Sequence, residues 1–160
     1  ISAHSIMISF EGVPAIYFNS LFGTSNDEAK YIITGNNRDV NRYKWNYKNI
    51  SKKLDDKNSK QSIFYYKISN LLSVKRKQKA FHPNASRHNL NLGSNLFSFK
   101  RVSIDKDQTI ICITNLSSKI QKTHLNKIYH GFNNLIGPKI EIKNKLLILK
   151  PFETIWLSNK

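Results

Sequence analysis

The chain has 160 residues, 39% of them hydrophobic and 11% aromatic, with a formal net charge of +16. That length suits one modest domain or parts of two, with a core that is not generous. A lone cysteine excludes an intrachain disulfide, and no stretch approaches the ~18 apolar residues of a membrane span.

Such a charge surplus would ordinarily point to nucleic acid or an acidic membrane. The composition argues otherwise. Lysines number 21 against 5 arginines, whereas base readout and phosphate forks favour Arg. The lysines are scattered, apart from the run Lys75-Arg76-Lys77-Gln78-Lys79. Asn (19) and Ile (20) are as inflated as Lys, a bias expected of drift toward AT-rich codons. The expectation is no nucleic-acid and no membrane partner. Cys112, between Ile111 and Ile113, reads as a small buried hydrophobe, compatible with a reducing, cytoplasmic compartment. His4, His82, His88, His124 and His130 are dispersed and lack metal-ligand spacing.

Ile1 to Phe10 reads as the end of a helix that packs on a sheet, stopped by Glu11-Gly12. It has no basic leader and no small-residue cleavage site, so it is not a signal peptide. The expectation is a chain that begins in the middle of a longer protein. Val13-Pro14-Ala15-Ile16-Tyr17-Phe18 comes next. Pro14 pushes Val13 toward extended geometry, and four apolar residues then follow without alternation. That fits a strand covered on both faces, as in a parallel sheet. Helix, break and buried strand are half of a βαβ unit, and the strand needs neighbours from outside this chain.

Asn19 to Asn58 reads as a long polar loop with one short helix near residues 25–31. Ser25 or Asn26 is the expected cap, with Asp27 and Glu28 in the first turn. Tyr43, Trp45 and Tyr47 argue against disorder, and so long an excursion is commonly functional. Lys60 to Lys79 reads as a helix with an apolar stripe at Ile63, Phe64, Ile68, Leu71 and Leu72. Ser59 is its N-cap, and the basic run at 75–79 is a solvated helix end rather than a phosphate patch.

After Phe81-His82-Pro83-Asn84 the period changes to two. Residues 88–92, 96–104, 108–116, 127–131, 139–143, 146–149 and 154–157 read as short strands separated by turn signals. Ile140 to Leu149 around Asn144-Lys145 reads as a hairpin. The second half is therefore expected to be an antiparallel β-sandwich, and the whole chain α+β.

The segments GVPAIYF (12–18), SLFG (20–23), TGNNRDVNR (34–42) and AFHPN (80–84), with LKPFETIWL (149–157) near the end, carry a resemblance in their order and spacing. Together they resemble the sucrose phosphorylase and glucosylglycerate phosphorylase-like branch of glycoside hydrolase family 13, the alpha-amylase superfamily. The resemblance implies that residues 1–80 complete a (β/α)8 TIM barrel as its last strand, loop and helix. It implies that residues 81–160 are the family's C-terminal β domain. The arginine that Arg38 matches contacts the glucosyl unit beside the cleaved bond. Arg38 is thus expected to bind substrate, although spacing alone equally allows it to pair with Asp39 or Asp27. Asn36, Asn37 and Asn41 could donate to and accept from sugar hydroxyls, but Asn is also a turn former. Arg42 reads as a loop ion pair, and Tyr17 and Phe22 as core.

Retaining enzymes of this kind need two carboxyls about 5–5.5 Å apart. In the family the nucleophile, the acid/base and a third Asp lie on earlier barrel strands. No catalytic residue is expected in this chain, which alone should be inactive. The implied parent is a phosphorylase transferring glucose from an α-glucoside, such as sucrose or glucosylglycerate, to inorganic phosphate. No cofactor is implied. One alternative is a glucosidase or transglucosidase of the same superfamily. Another is a non-catalytic basic β module that binds polyanions.

Overall fold

A computed structural model describes residues 1–138, 140 and 146–160. The chain divides into two units. One comprises residues 1–14 and 70–160, the other residues 15–69.

Among the described residues the larger unit carries helix α1 (Ser2–Ser9) and seven strands: β1 (Ser86–Leu90), β2 (Leu96–Val102), β3 (Thr109–Asn115), β4 (Gln121–His124), β5 (Asn133–Asn134), β6 (Leu146–Leu149) and β7 (Thr154–Ser158). All pairings are antiparallel. Five strands form a sheet in the order β1-β2-β3-β7-β5, and β4 pairs with β6. Register puts Phe99 opposite Cys112 and Cys112 opposite Trp156. Residues in one such row share a face of the sheet. Ile111, Ile113, Ile155 and Leu157 therefore point the other way. They join Leu96, Leu125, Leu147 and Leu149 in one buried cluster, which is the interior of a sandwich.

The opposite face is covered as well. Phe10, just past α1, packs on Phe97 and Phe99 at 5.9 and 5.2 Å between ring centroids. Phe81 meets Trp156 edge-on at 4.8 Å. Arg101 shares the Phe97 and Phe99 face and is fully buried. Its guanidinium donates to the carbonyls of Ser9 (2.9 Å), His82 (2.8 Å) and Ala85 (3.2 Å). It thereby ties the end of α1 and the turn before β1 to the sheet. Burial pulls its pKa down, but a guanidinium stays charged.

The β-sandwich and the α+β class match the reading of the sequence. Several details do not. Residues 127–131 hold a 3-10 turn, Lys127–Tyr129, capped by Asn126, instead of a strand. Strand β4 was not foreseen, because Gln-Lys-Thr-His buries only Thr123 and shows no apolar alternation. The expected strand at 139–143 and the turn at Asn144-Lys145 lie largely outside the described residues. The helix at the start packs on β3 of the antiparallel sheet, not on a parallel one. The basic run is not wholly solvated. Lys75 is half-buried, donates to Phe81 O at 3.3 Å, and burial followed by the nearby charge of Arg101 lowers its pKa. Lys79 bridges Asp105 and Asp107 at 2.7 and 3.0 Å.

The smaller unit is helical: α2 (Phe18–Leu21), α3 (Glu28–Thr34), a 3-10 turn (Asn37–Asn41), α4 (Tyr47–Asp55) and the first part of α5 (Lys60–Arg76). Ser59 caps α5 as expected, accepting from Ser62 N at 3.0 Å. The α3 cap is Asp27 rather than Ser25 or Asn26. Helix α4 replaces part of the expected loop; Asn46 caps it by accepting from Lys48 N at 2.9 Å. Phe22 is buried and stacks on Tyr65 at 5.8 Å. Gly23 (φ 56°) lets the Phe64 ring approach so closely that a Cβ there would lie 2.6 Å from it. The Ser-Leu-Phe-Gly motif is thus a tight turn seated on α5.

Val13–Phe18 is the largest correction. No strand forms there. Val13, Tyr17 and Phe18 are 84%, 52% and 57% exposed. The backbone is extended at Tyr17 (φ −65°, ψ 137°), where α2 begins. A strand exists only with a ladder partner, and among the described residues none pairs with this segment.

Candidate functional site

The residues singled out in the sequence lie on the 3-10 turn Asn37–Asn41. Asn36 is its cap, and its side chain accepts from Arg38 N at 3.0 Å. The turn is pinned from three directions. Lys30 on α3 pairs with Asp39 at 3.1 Å. Asp27 N donates to Val40 O at 2.6 Å. Tyr17 OH and Asn19 Nδ2 both donate to Asn41 O at 3.2 Å, and the same Asn19 amide donates to Tyr43 O at 3.0 Å. Asn19 is buried, so these bonds are shielded from water.

This pinning bears on the pairing of Arg38 with Asp39 or Asp27. Asp39 is committed to Lys30, and Asp27 uses its carboxylate to cap α3, accepting from Lys30 N at 3.1 Å. Arg38 is exposed and makes no ion pair or side-chain hydrogen bond among the described residues. The turn therefore presents an unspent planar fork of five donors on a braced backbone. Asn37 and Asn41 flank it and are also exposed. Asn41 contributes its carbonyl to the bracing, which leaves its side chain outside that network. Hydrogen bonds from Lys30 and Thr34 hold the Asp39 carboxyl below its ordinary range. Tyr17 is a brace and Phe22 is core. Asn19 was not singled out in the sequence, because one Asn after an apolar run has no distinguishing spacing.

Four carboxylates elsewhere are engaged. Glu11 pairs with Arg87 at 2.6 Å, and Glu153 accepts from Lys150 N at 2.7 Å. Asp105 and Asp107 lie close enough to share the Lys79 ammonium. Hydrogen bonds from Lys79 and Ser103 depress Asp105, and hydrogen bonds led by that from Lys160 depress Asp107. Neither can hold a proton near neutral pH to act as a general acid.

In an alignment of 160 positions that covers 98% of the chain, it is 32% identical to the glucosylglycerate phosphorylase of Escherichia coli. The resemblance is to glucosylglycerate phosphorylase. It recurs at 29% identity over 157 residues with the enzyme of that name from Allomeiothermus silvanus. It recurs again at 31% over 117 residues with that from Spirochaeta thermophila. The chain spans about a quarter of the length of these relatives, 27%, 26% and 20% respectively. No family model matches it. Among solved structures, trehalulose synthase from Pseudomonas mesoacidophila matches with a TM-score of 0.70 at 14% identity, covering 98% of this chain and 37% of that one. A mutant of that synthase in complex with glucose gives 0.71. At that identity the likeness is one of fold. Among the described residues no helix is long and apolar enough to cross a membrane.

Proposed function

We propose that this chain is the C-terminal part of a retaining glucosyl phosphorylase that acts on glucosylglycerate. Residues 1–80 complete its (β/α)8 barrel, and residues 81–160 are its β domain. The observation that carries the reading is identity with glucosylglycerate phosphorylase along nearly the whole chain. An unpaired Arg38 on a braced turn supports it. In this reading an α-glucoside donates glucose to an enzyme carboxylate supplied from outside these residues. Inorganic phosphate then attacks the anomeric carbon and releases glucose 1-phosphate. Arg38 grips the glucosyl hydroxyls and presents the anomeric carbon to the nucleophile, a positioning role. Asn37 and Asn41 add amide contacts. In this reading both carboxylates of the double displacement come from outside these residues, and the chain is inactive by itself.

The test is phosphate-dependent release of glucose 1-phosphate from glucosylglycerate, with sucrose in parallel, by the full-length protein. Arg38→Ala should lower kcat/KM by about a hundredfold, the loss of a charge-assisted, bidentate contact of about 3 kcal/mol. Unchanged kcat/KM would remove Arg38 from the site. Release of free glucose at an equal rate without phosphate would make the parent a hydrolase. A steep salt dependence of polyanion binding, with no turnover, would favour the basic module instead.

A further inference from the structure

The smaller unit also holds a cleft of about 250 Å3 that the Arg38 reading leaves unused. Thr24, Ser25, Asn26, Asp27, Tyr43, Trp45 and Gln61 line it. One wall is aromatic and fixed. Trp45 Nε1 donates to Thr24 Oγ1 at 2.9 Å, and Tyr43 meets the indole edge-on at 4.9 Å. The indole plane is thereby set before any ligand arrives.

Two of the polar side chains are unspent. The side-chain amides of Asn26 and Gln61 make no hydrogen bond among the described residues, so each offers two donors and an acceptor. Asp27 uses Oδ1 to cap α3 and keeps its other oxygen. Ser25 Oγ accepts from Lys60 Nζ at 3.0 Å, so the cleft meets one positive group and the one negative group of Asp27, a balance that suits a neutral ligand. Paired donors and acceptors suit adjacent hydroxyls, and a fixed aromatic wall suits the C–H face of a sugar ring. The volume falls below the ~300–1,000 Å3 of drug-sized sites, which limits the occupant to a single ring.

We infer that this cleft is a subsite for a neutral hexose unit, held by Trp45, Asn26 and Gln61 and separate from Arg38. Its wall is joined to the Arg38 turn through the bond from Asp27 N to Val40 O. Binding itself does not depend on the Arg38 proposal.

The probe is D-glucose, titrated into the full-length protein while tryptophan emission is followed. A saturable change is expected, and Trp45→Phe should remove it. The Asn26→Ala, Gln61→Ala double variant should weaken binding about tenfold or more, because it deletes two neutral hydrogen-bonding groups. Neither side chain is buried, so the fold should survive; an unchanged thermal midpoint checks this. Arg38→Ala should leave the titration intact. The inference is overturned if no saturable change occurs, if the double variant binds as the parent does, or if Arg38→Ala abolishes the signal. Full phosphorolysis by Arg38→Ala with the titration intact would instead sink the Arg38 reading alone.

Discussion

Arg101 shows how far a single side chain can depart from its sequence signal. In Phe97-Ser98-Phe99-Lys100-Arg101 the alternation assigns Arg101 to the aromatic face, yet a charge in that place reads as solvent-exposed. It is buried because three carbonyls need donors where α1 and the turn at 82–85 meet the sheet. Arg101→Ala should cost about 3 kcal/mol, since it strands those acceptors and opens a cavity. Arg101→Lys should recover little, because a point charge cannot reach three acceptors at once. Urea unfolding would measure both; a midpoint within experimental scatter of the parent would refute the tethering role. Arg38 was singled out by the motif around it, while its freedom from Asp39 and Asp27 needed coordinates, since either pairing was plausible along the chain.

At the level of elements, an unbroken apolar run proved to have two outcomes. Val13–Phe18 was read as a strand covered on both faces, and no strand forms there. Ile110–Ile113 is such a strand, with Ile111 and Ile113 in the sandwich interior and Ile110 and Cys112 on the α1 side. Both runs are apolar, and in the structure the presence of ladder partners separates them. Helix α5 and its Ser59 cap were legible because stripe and cap agree. Helix α4 was missed amid Lys and Asn. The Arg38 turn carries its own prediction. Asp39 is depressed, so its pairing with Lys30 is fully present above the unfolded carboxyl pKa of about 3.9. It is lost as pH falls through the lower, folded value. Amide exchange at residues 37–41, corrected for intrinsic rates, should accelerate below about pH 4 in the parent. In Asp39→Asn it should be fast at neutral pH as well. Protection that ignores both changes would show that the ion pair does not hold the turn.

For the molecule as a whole, the class and the sandwich were read from periodicity, and the kinship from the order of short motifs. The division at residues 14 and 69 was not legible, since no Gly/Pro-rich linker marks it. Cys112 has a consequence of a different kind. It is a lone thiol under α1 in the central strand, and burial pushes its pKa far above the ordinary range. A thiol so enclosed reacts only when the sheet opens. Its alkylation rate is then a clock for that opening. Arg101→Ala should quicken the clock, and a rate equal to the parent's would show that the sheet opens without releasing its tether to α1.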